Sequence, residues 1–234
     1  MLKEVLDLLN KNFKPKSVFL YGSRARKDFT AKSDFEMGVL FSKENYTERE
    51  RIKNIVNKKN FSVYPFEYES FISGKIDTPF QKKIYLRELI LTGKTISGEK
   101  VIEKMKAPQI SIIDLIQDLR FNLGYALASM HSHRNGDKIS ASLEFYKSCL
   151  FSTRDLEILK FRTFPTNFNE ILNLSNKLNI GEYQKLVEKA FNIRKENAEY
   201  EEKDIFLNIS YLNKFIEPVL LKLFKEKGNA ILLK

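Results

Sequence analysis

Cys149 is the only cysteine in the chain. No disulfide can therefore form within it, and a reducing, cytoplasmic setting is expected. Histidine is almost as scarce. His131 and His133 lie two apart in a helical stretch, so they do not share a face and do not make a histidine-rich metal site. No run approaches the roughly eighteen apolar residues of a membrane span, which argues against a membrane partner. The opening MLKEVLDLLNKNFK has the pattern of an amphipathic helix rather than a signal peptide. Internal repeats and low-complexity segments are missing too, so a globular fold is expected.

What is present suits such a fold. The 234 residues are enough for one or two domains, and 43% hydrophobic with 30% charged residues is an ordinary balance. The net charge of +10 is unevenly placed: residues 1–106 hold 22 Lys and Arg against 14 Asp and Glu, and residues 107–234 hold 18 against 16. The excess favours a polyanion at the first part, either a nucleotide or a nucleic acid such as RNA.

The chemistry concentrates in two neighbouring runs, Val18-Phe-Leu-Tyr-Gly-Ser-Arg-Ala-Arg26 and Ser33-Asp-Phe-Glu-Met-Gly-Val-Leu-Phe-Ser42. Val18 to Tyr21 suits a buried strand that Gly22 ends. Asp34 and Glu36 are two apart, which puts both carboxylates on one face of a strand. Like charges so placed repel, and a divalent cation between them removes that cost. Mg²⁺ suits such hard ligands and completes its shell with phosphate oxygens and water. Gly22, lacking a Cβ, lets phosphate approach the backbone. Ser23 offers a hydroxyl and an amide at a helix start, where anions are attracted. Arg24, Arg26 and Lys27 add positive charge to the same turn. Together these residues describe a site for a metal-bound triphosphate.

Gly-Ser, a gap of about ten residues and Asp-x-Asp/Glu opening a strand resemble the nucleotidyltransferase superfamily that includes DNA polymerase beta. The string YGSRAR…SDFE is most similar to the minimal nucleotidyltransferases and to kanamycin nucleotidyltransferase, which also has Glu as the second acid. The resemblance implies transfer of a nucleoside monophosphate from a nucleoside triphosphate, with ATP the expected one, to an acceptor hydroxyl. It implies Asp34 and Glu36 as metal ligands, and Gly22, Ser23, Arg24 and Arg26 as nucleotide-binding residues, with one of the two arginines open to bracing the fold instead. It also implies a third acid on a later strand, within SVYPFEY near Tyr64. Tyrosine cannot take that part, so Glu67 is the expected third catalytic acid if Pro65 bends the strand inward, with Glu69 a more distant candidate. The acceptor is not readable; RNA, protein and a small molecule all remain, and a homodimer is compatible with the sequence.

The layout expected is α+β: a small mixed-sheet nucleotidyltransferase domain over 1–106, then a helical bundle over 107–234. A helix is expected at 2–13, strands near 17–21, 34–42 and 61–68, and helices from Thr47 and from Thr78-Pro79, both placed by capping patterns. Pro65 marks its strand as an edge or a bulge. Beyond Pro108 the spacing is helical, with stripes such as Ile112, Ile113, Ile116, Leu119, Leu123, Leu127 and Met130, and Pro218 as a kink in the last helix. This half resembles the HEPN domains that accompany minimal nucleotidyltransferases. The ribonuclease motif of that family, Arg followed by His, finds only Arg194…Asn197…Tyr200 here, so ribonuclease action is not expected. Asp114 and Asp118 share a helix face and are candidates for a general base toward the acceptor.

Overall fold

The computed structural model describes residues 1–30, 33–78, 80–196 and 200–234. The chain divides into two compact units, Met1–Pro108 and Gln109–Lys234. Its class is α+β, a four-stranded mixed sheet followed by a mostly helical region.

In the first unit, α1 (Leu2–Phe13) leads into β1 (Ser17–Tyr21), α2 (Gly22–Arg26), β2 (Phe35–Phe41), α3 (Arg49–Val56) and β3 (Phe61–Glu67). Then come α4 (Tyr68–Ile72), α5 (Lys82–Thr92) and β4 (Lys94–Gly98). The strand order is β3-β2-β1-β4, antiparallel except for the β2–β3 pair, which α3 connects as a parallel crossover. Alternation along the strands sorts two cores. Val18, Met37, Val39 and Val63 pack on one face against Val5, Leu9 and Phe13 of α1 and Ile52 and Val56 of α3. Phe19, Tyr21, Leu40 and Phe66 pack on the other against Phe71 of α4 and Leu86 and Leu89 of α5. Phe19 takes the room of a side chain at Gly38, where a Cβ would come within 2.1 Å of its ring.

Pro65 sits on the edge strand, as its missing N–H requires, yet it causes no bulge: β2 and β3 pair in unbroken register from Phe35–Phe61 to Phe41–Glu67. Two helix starts differ from their capping patterns. The first turn of α3 follows Glu48 without a side-chain cap, and α5 is capped by Gln81, whose Oε1 accepts from the Ile84 amide at 2.8 Å. Thr78 instead accepts from the Phe80 amide at 3.2 Å; Pro79 lies outside the described residues.

The second unit opens with β5 (Ile110–Ser111), followed by α6 (Ile112–Arg134), α7 (Lys138–Phe161), α8 (Phe168–Ser175), α9 (Tyr183–Glu196), α10 (Glu202–Tyr211) and α11 (Glu217–Lys227). β6 (Ile231–Leu233) returns to pair with β5. Phe145, Tyr146, Cys149 and Leu150 of α7 meet Phe168 and Ile171 of α8, Leu186, Val187 and Ala190 of α9 and Ile205 of α10 in its core. The stripe expected on α6 is displaced by part of a turn: Leu127 is exposed, and the buried face runs through Leu115, Leu119, Asn122 and Ala126 with Asp114 and Asp118 among them. The long last helix is broken by a π turn at Leu212–Ile216 just before Pro218. That turn absorbs the proline, which can neither donate to the preceding turn nor fit under its carbonyl. No helix among the described residues is long and apolar enough to cross a membrane.

Candidate active site

Tyr21 of β1 stands opposite Glu36 of β2, so the end of one strand and the start of the next bring the Gly22–Ser23 turn and the two acids together. Gly22 holds a φ of 70°, a left-handed conformation that glycine adopts without strain. Its missing side chain matters as much. Glu36 Oε2 lies 1.8 Å from the ideal position of a Cβ at residue 22, so the carboxylate rests on the glycine backbone. Asp34 lies two residues earlier, just before the strand; it is exposed, while Glu36 is half-buried. Ser62 of β3 pairs with Glu36 in register, and its hydroxyl donates to Asp34 Oδ2 at 3.0 Å.

Three tyrosines border Glu36. Tyr21 is its cross-strand neighbour, Tyr64 on β3 packs its ring 6.2 Å from that of Tyr21, and Tyr85 on α5 shares a hydrogen bond with Tyr21. Burial first, then the nearby Tyr85 and Glu36, push the Tyr21 phenol well above its usual range, so it stays protonated. The Arg49 guanidinium covers the Tyr64 ring at 4.0 Å.

The arginines of the motif have structural partners. Arg24 donates from Nε and from a terminal nitrogen to the Ser33 carbonyl at 3.0 and 2.7 Å, and lies over the Phe35 ring at 3.9 Å. It thereby fixes the backbone immediately before Asp34. Arg26 bonds Asp28 at 3.1 Å and Glu88 of α5 at 2.6 Å, with side chains only 5–15% exposed. Burial works against its charge, but Glu88 and Asp28 outweigh this and hold its pKa above the ordinary arginine value. Bracing was left open for one of the two arginines; both have structural partners. Ser23 is buried at the start of α2, and Lys27 is exposed at its end.

Glu67 is not brought to this group. It pairs with Phe41, five residues along the ladder from the Glu36–Ser62 pair, about 16 Å away at the rise of a strand. The unbroken register leaves it on the opposite face, and its carboxylate caps α4 by accepting from the amides of Glu69 at 2.9 Å and Ser70 at 2.7 Å. The Ser70 side chain first, then the amides of Glu69 and Ser70, lower its pKa. Ser62 is the β3 residue opposite Glu36 and Tyr64 stands two residues on, opposite Gly38; the described residues contain no cluster of three or more His, Cys, Asp or Glu able to hold a metal ion. The residues that sequence reasoning missed are Ser62, Tyr85, Asp28 and Glu88. Of these only Ser62 carried a signal, its period-2 relation to Tyr64, and that needed the register to be known.

The candidate base residues of the second unit are both buried. Asp114 closes a capping box with Ser111, at 2.8 Å from its amide and 2.6 Å from its hydroxyl. Asp118 lies 3.5 Å from Arg154 and accepts from Asn122 at 3.3 Å. Arg194 is buried and stacks on Phe168 at 3.9 Å, and Tyr200 packs on His133 and Phe145. Asn197 lies outside the described residues.

Two carboxylates, one resting on a glycine backbone, form a donor set that fits a hard divalent cation. Among solved structures the chain is similar to spectinomycin adenyltransferase AAD(9) from Enterococcus faecialis, solved with ATP and spectinomycin. The likeness has a TM-score of 0.58 and 13% identity, and covers 91% of this chain and 96% of the other. It shows a shared fold. No curated protein sequence matches the chain. Residues 3–96 match the family described as Polymerase beta, Nucleotidyltransferase. The first unit is thus a nucleotidyltransferase domain of the polymerase beta type.

Proposed function

We propose that the protein is a Mg²⁺-dependent nucleotidyltransferase that moves a nucleoside monophosphate from a triphosphate, ATP foremost, to a hydroxyl of an acceptor. The observation that supports this is the Glu36 carboxylate against Gly22, with Asp34 just before the same strand and bonded to Ser62, the residue paired with Glu36. Bound between those acids, a divalent cation would stabilise the attacking and leaving oxygens of an in-line displacement at the α-phosphorus. Ser23 and the Gly22 backbone hold the phosphate tail, and Lys27 supplies charge at the exposed end of α2. Arg24 keeps Asp34 in place through the Ser33 carbonyl. The solved neighbour contains ATP, which supports that nucleotide. Its acceptor, spectinomycin, transfers less readily, because the excess of cationic residues in the first unit disfavours a cationic drug.

Incubation with labelled ATP, Mg²⁺ and a cell extract tests the reading. Label is expected on an acceptor, and Asp34→Ala is expected to abolish it; labelling that persists in the variant refutes the assignment. A second reading, a nucleotide- or RNA-binding module without turnover, is favoured by Ser62 opposite Glu36 and Tyr64 two residues on, neither an acid, and by Glu67 capping α4. It expects RNA or nucleotide retention with no transfer, and RNA binding that weakens steeply with salt.

A further inference from the structure

Phe29 is 51% exposed, yet the chain on either side of it is tied down. Before it, the Asp28 amide donates to the Ser23 carbonyl at 3.1 Å, and the Asp28 carboxylate is bonded to Arg26. After it, the Thr30 amide donates to the Ser33 hydroxyl at 2.9 Å, and the Ser33 amide donates to the Thr30 carbonyl at 3.0 Å. Fixing an apolar ring in water gains nothing by itself. It does lower the entropic cost for a partner that covers the ring.

The ring is the outermost of a run of planar groups, since Phe35 and Phe61 are half-buried. The Arg24 guanidinium lies 4.9 Å from the Phe29 centroid and 3.9 Å from that of Phe35. Phe35 stacks in turn on Phe61, with centroids 4.8 Å apart and planes 9° from parallel. Two nitrogens of Arg24 are engaged by the Ser33 carbonyl, a neutral acceptor, and no acid pairs with this arginine among the described residues. Its charge is therefore not cancelled, and it meets the rings through its face. Exposed lysines flank the run in sequence, Lys27 two residues before Phe29 and Lys59 two before Phe61. Ser33 directly precedes Asp34, so the run borders the acids. An aliphatic partner would use the area of the ring but not the cations. An unpaired nucleobase uses both, stacking on the ring while its phosphate meets the positive charge.

We propose that Phe29, backed by Arg24, is a stacking subsite for an unpaired nucleobase, either that of the donor triphosphate or that of a single-stranded nucleic-acid acceptor. The proposal rests on the nucleotidyl-transfer reading and deepens it, giving a part to the segment between the Gly22–Ser23 turn and Asp34.

The full chain has no tryptophan, so Phe29→Trp supplies an isolated fluorophore. Titration with Mg²⁺-ATP or with a single-stranded oligoadenylate is expected to quench its indole emission. Inorganic tripolyphosphate, which has no base, is expected not to. Calorimetric titrations then compare the wild type with Phe29→Tyr, Phe29→Leu and Phe29→Ala, all at an exposed position where folding is expected to survive. The Leu and Ala variants should bind the stacking ligand about tenfold more weakly or worse, and Phe29→Tyr should stay within about twofold of the wild type. Tripolyphosphate affinity should be the same in all four. Loss confined to ATP assigns the subsite to the donor base, loss confined to oligoadenylate assigns it to the acceptor, and loss of both assigns it to a base from either source. An indole that neither ligand quenches, a Phe29→Ala protein that binds both like the wild type, or a Phe29→Leu protein that does so, overturns this inference alone. A wild type that binds neither ATP nor oligoadenylate overturns the nucleotidyl-transfer reading with it.

Discussion

The Glu36 carboxylate stands where a β-carbon on residue 22 would have to be, with Oε2 1.8 Å from that position. Gly22→Ala therefore carries two faults, a side chain at a φ of 70° and a displaced acid. Strain of this kind costs on the order of 1–3 kcal/mol. The variant is expected to remain folded with a lowered melting temperature and to lose at least about tenfold in Mn²⁺ affinity. Calorimetry and metal titration read the two effects separately, and full affinity in the alanine variant would contradict the geometry.

Ser62 reaches Asp34 from the neighbouring strand at 3.0 Å. Because Asp34 is exposed, little else restrains that carboxylate, and Ser62→Ala is expected to reduce metal affinity and transfer by about tenfold while leaving stability within about 0.5 kcal/mol. Equal losses in stability and affinity would mark Ser62 as structural only.

Glu67→Ala separates the two parts that this acid was offered. Loss of the α4 cap should cost about 1 kcal/mol in urea unfolding. Metal affinity should not change. A collapse of Mn²⁺ binding in this variant would restore Glu67 as a ligand.

The second unit should weaken as pH rises. Burial pushes Glu157 up to about 9, against the partial relief of Arg154, and neither of its oxygens has a hydrogen-bond partner among the described residues. Asp155, two residues earlier, is raised as well, first by burial and then by Asp118. For a carboxyl whose folded pKa lies above its unfolded value, the stabilising contribution is fully present below the unfolded pKa, here 4.5, and is lost as pH climbs through the folded one. Urea melts between pH 5 and 9 are expected to show stability falling by a few kcal/mol. Glu157→Gln should flatten that fall, and an unchanged slope in the variant would rule Glu157 out as its source.

How much of this was legible in the sequence depended on distance along the chain. Val18 to Tyr21 as a buried strand and Gly22 as its end follow from local periodicity, and both hold in the structure; Asp34 falls just before the strand that carries Glu36. The partners of Arg26 do not follow, since Glu88 lies on α5 and only tertiary packing brings it near. Glu67 was misplaced because the register of β3 and the run of amides after it were unknown; a carboxylate two residues before free helix amides is drawn to them. Asp114 and Asp118 were candidates for a general base from their shared helix face, and that spacing gave no sign of their burial against Arg154, Asn122 and Ser111.

The pairing of Ile110 with Leu233 brings the opening and the close of the helical unit side by side. A unit whose first and last strands already pair can be cut elsewhere and joined there by a brief linker. A permuted version beginning in the turn at residues 135–137 should therefore keep its bundle, with the tie at Ile110 now made inside the sequence instead of across its tips.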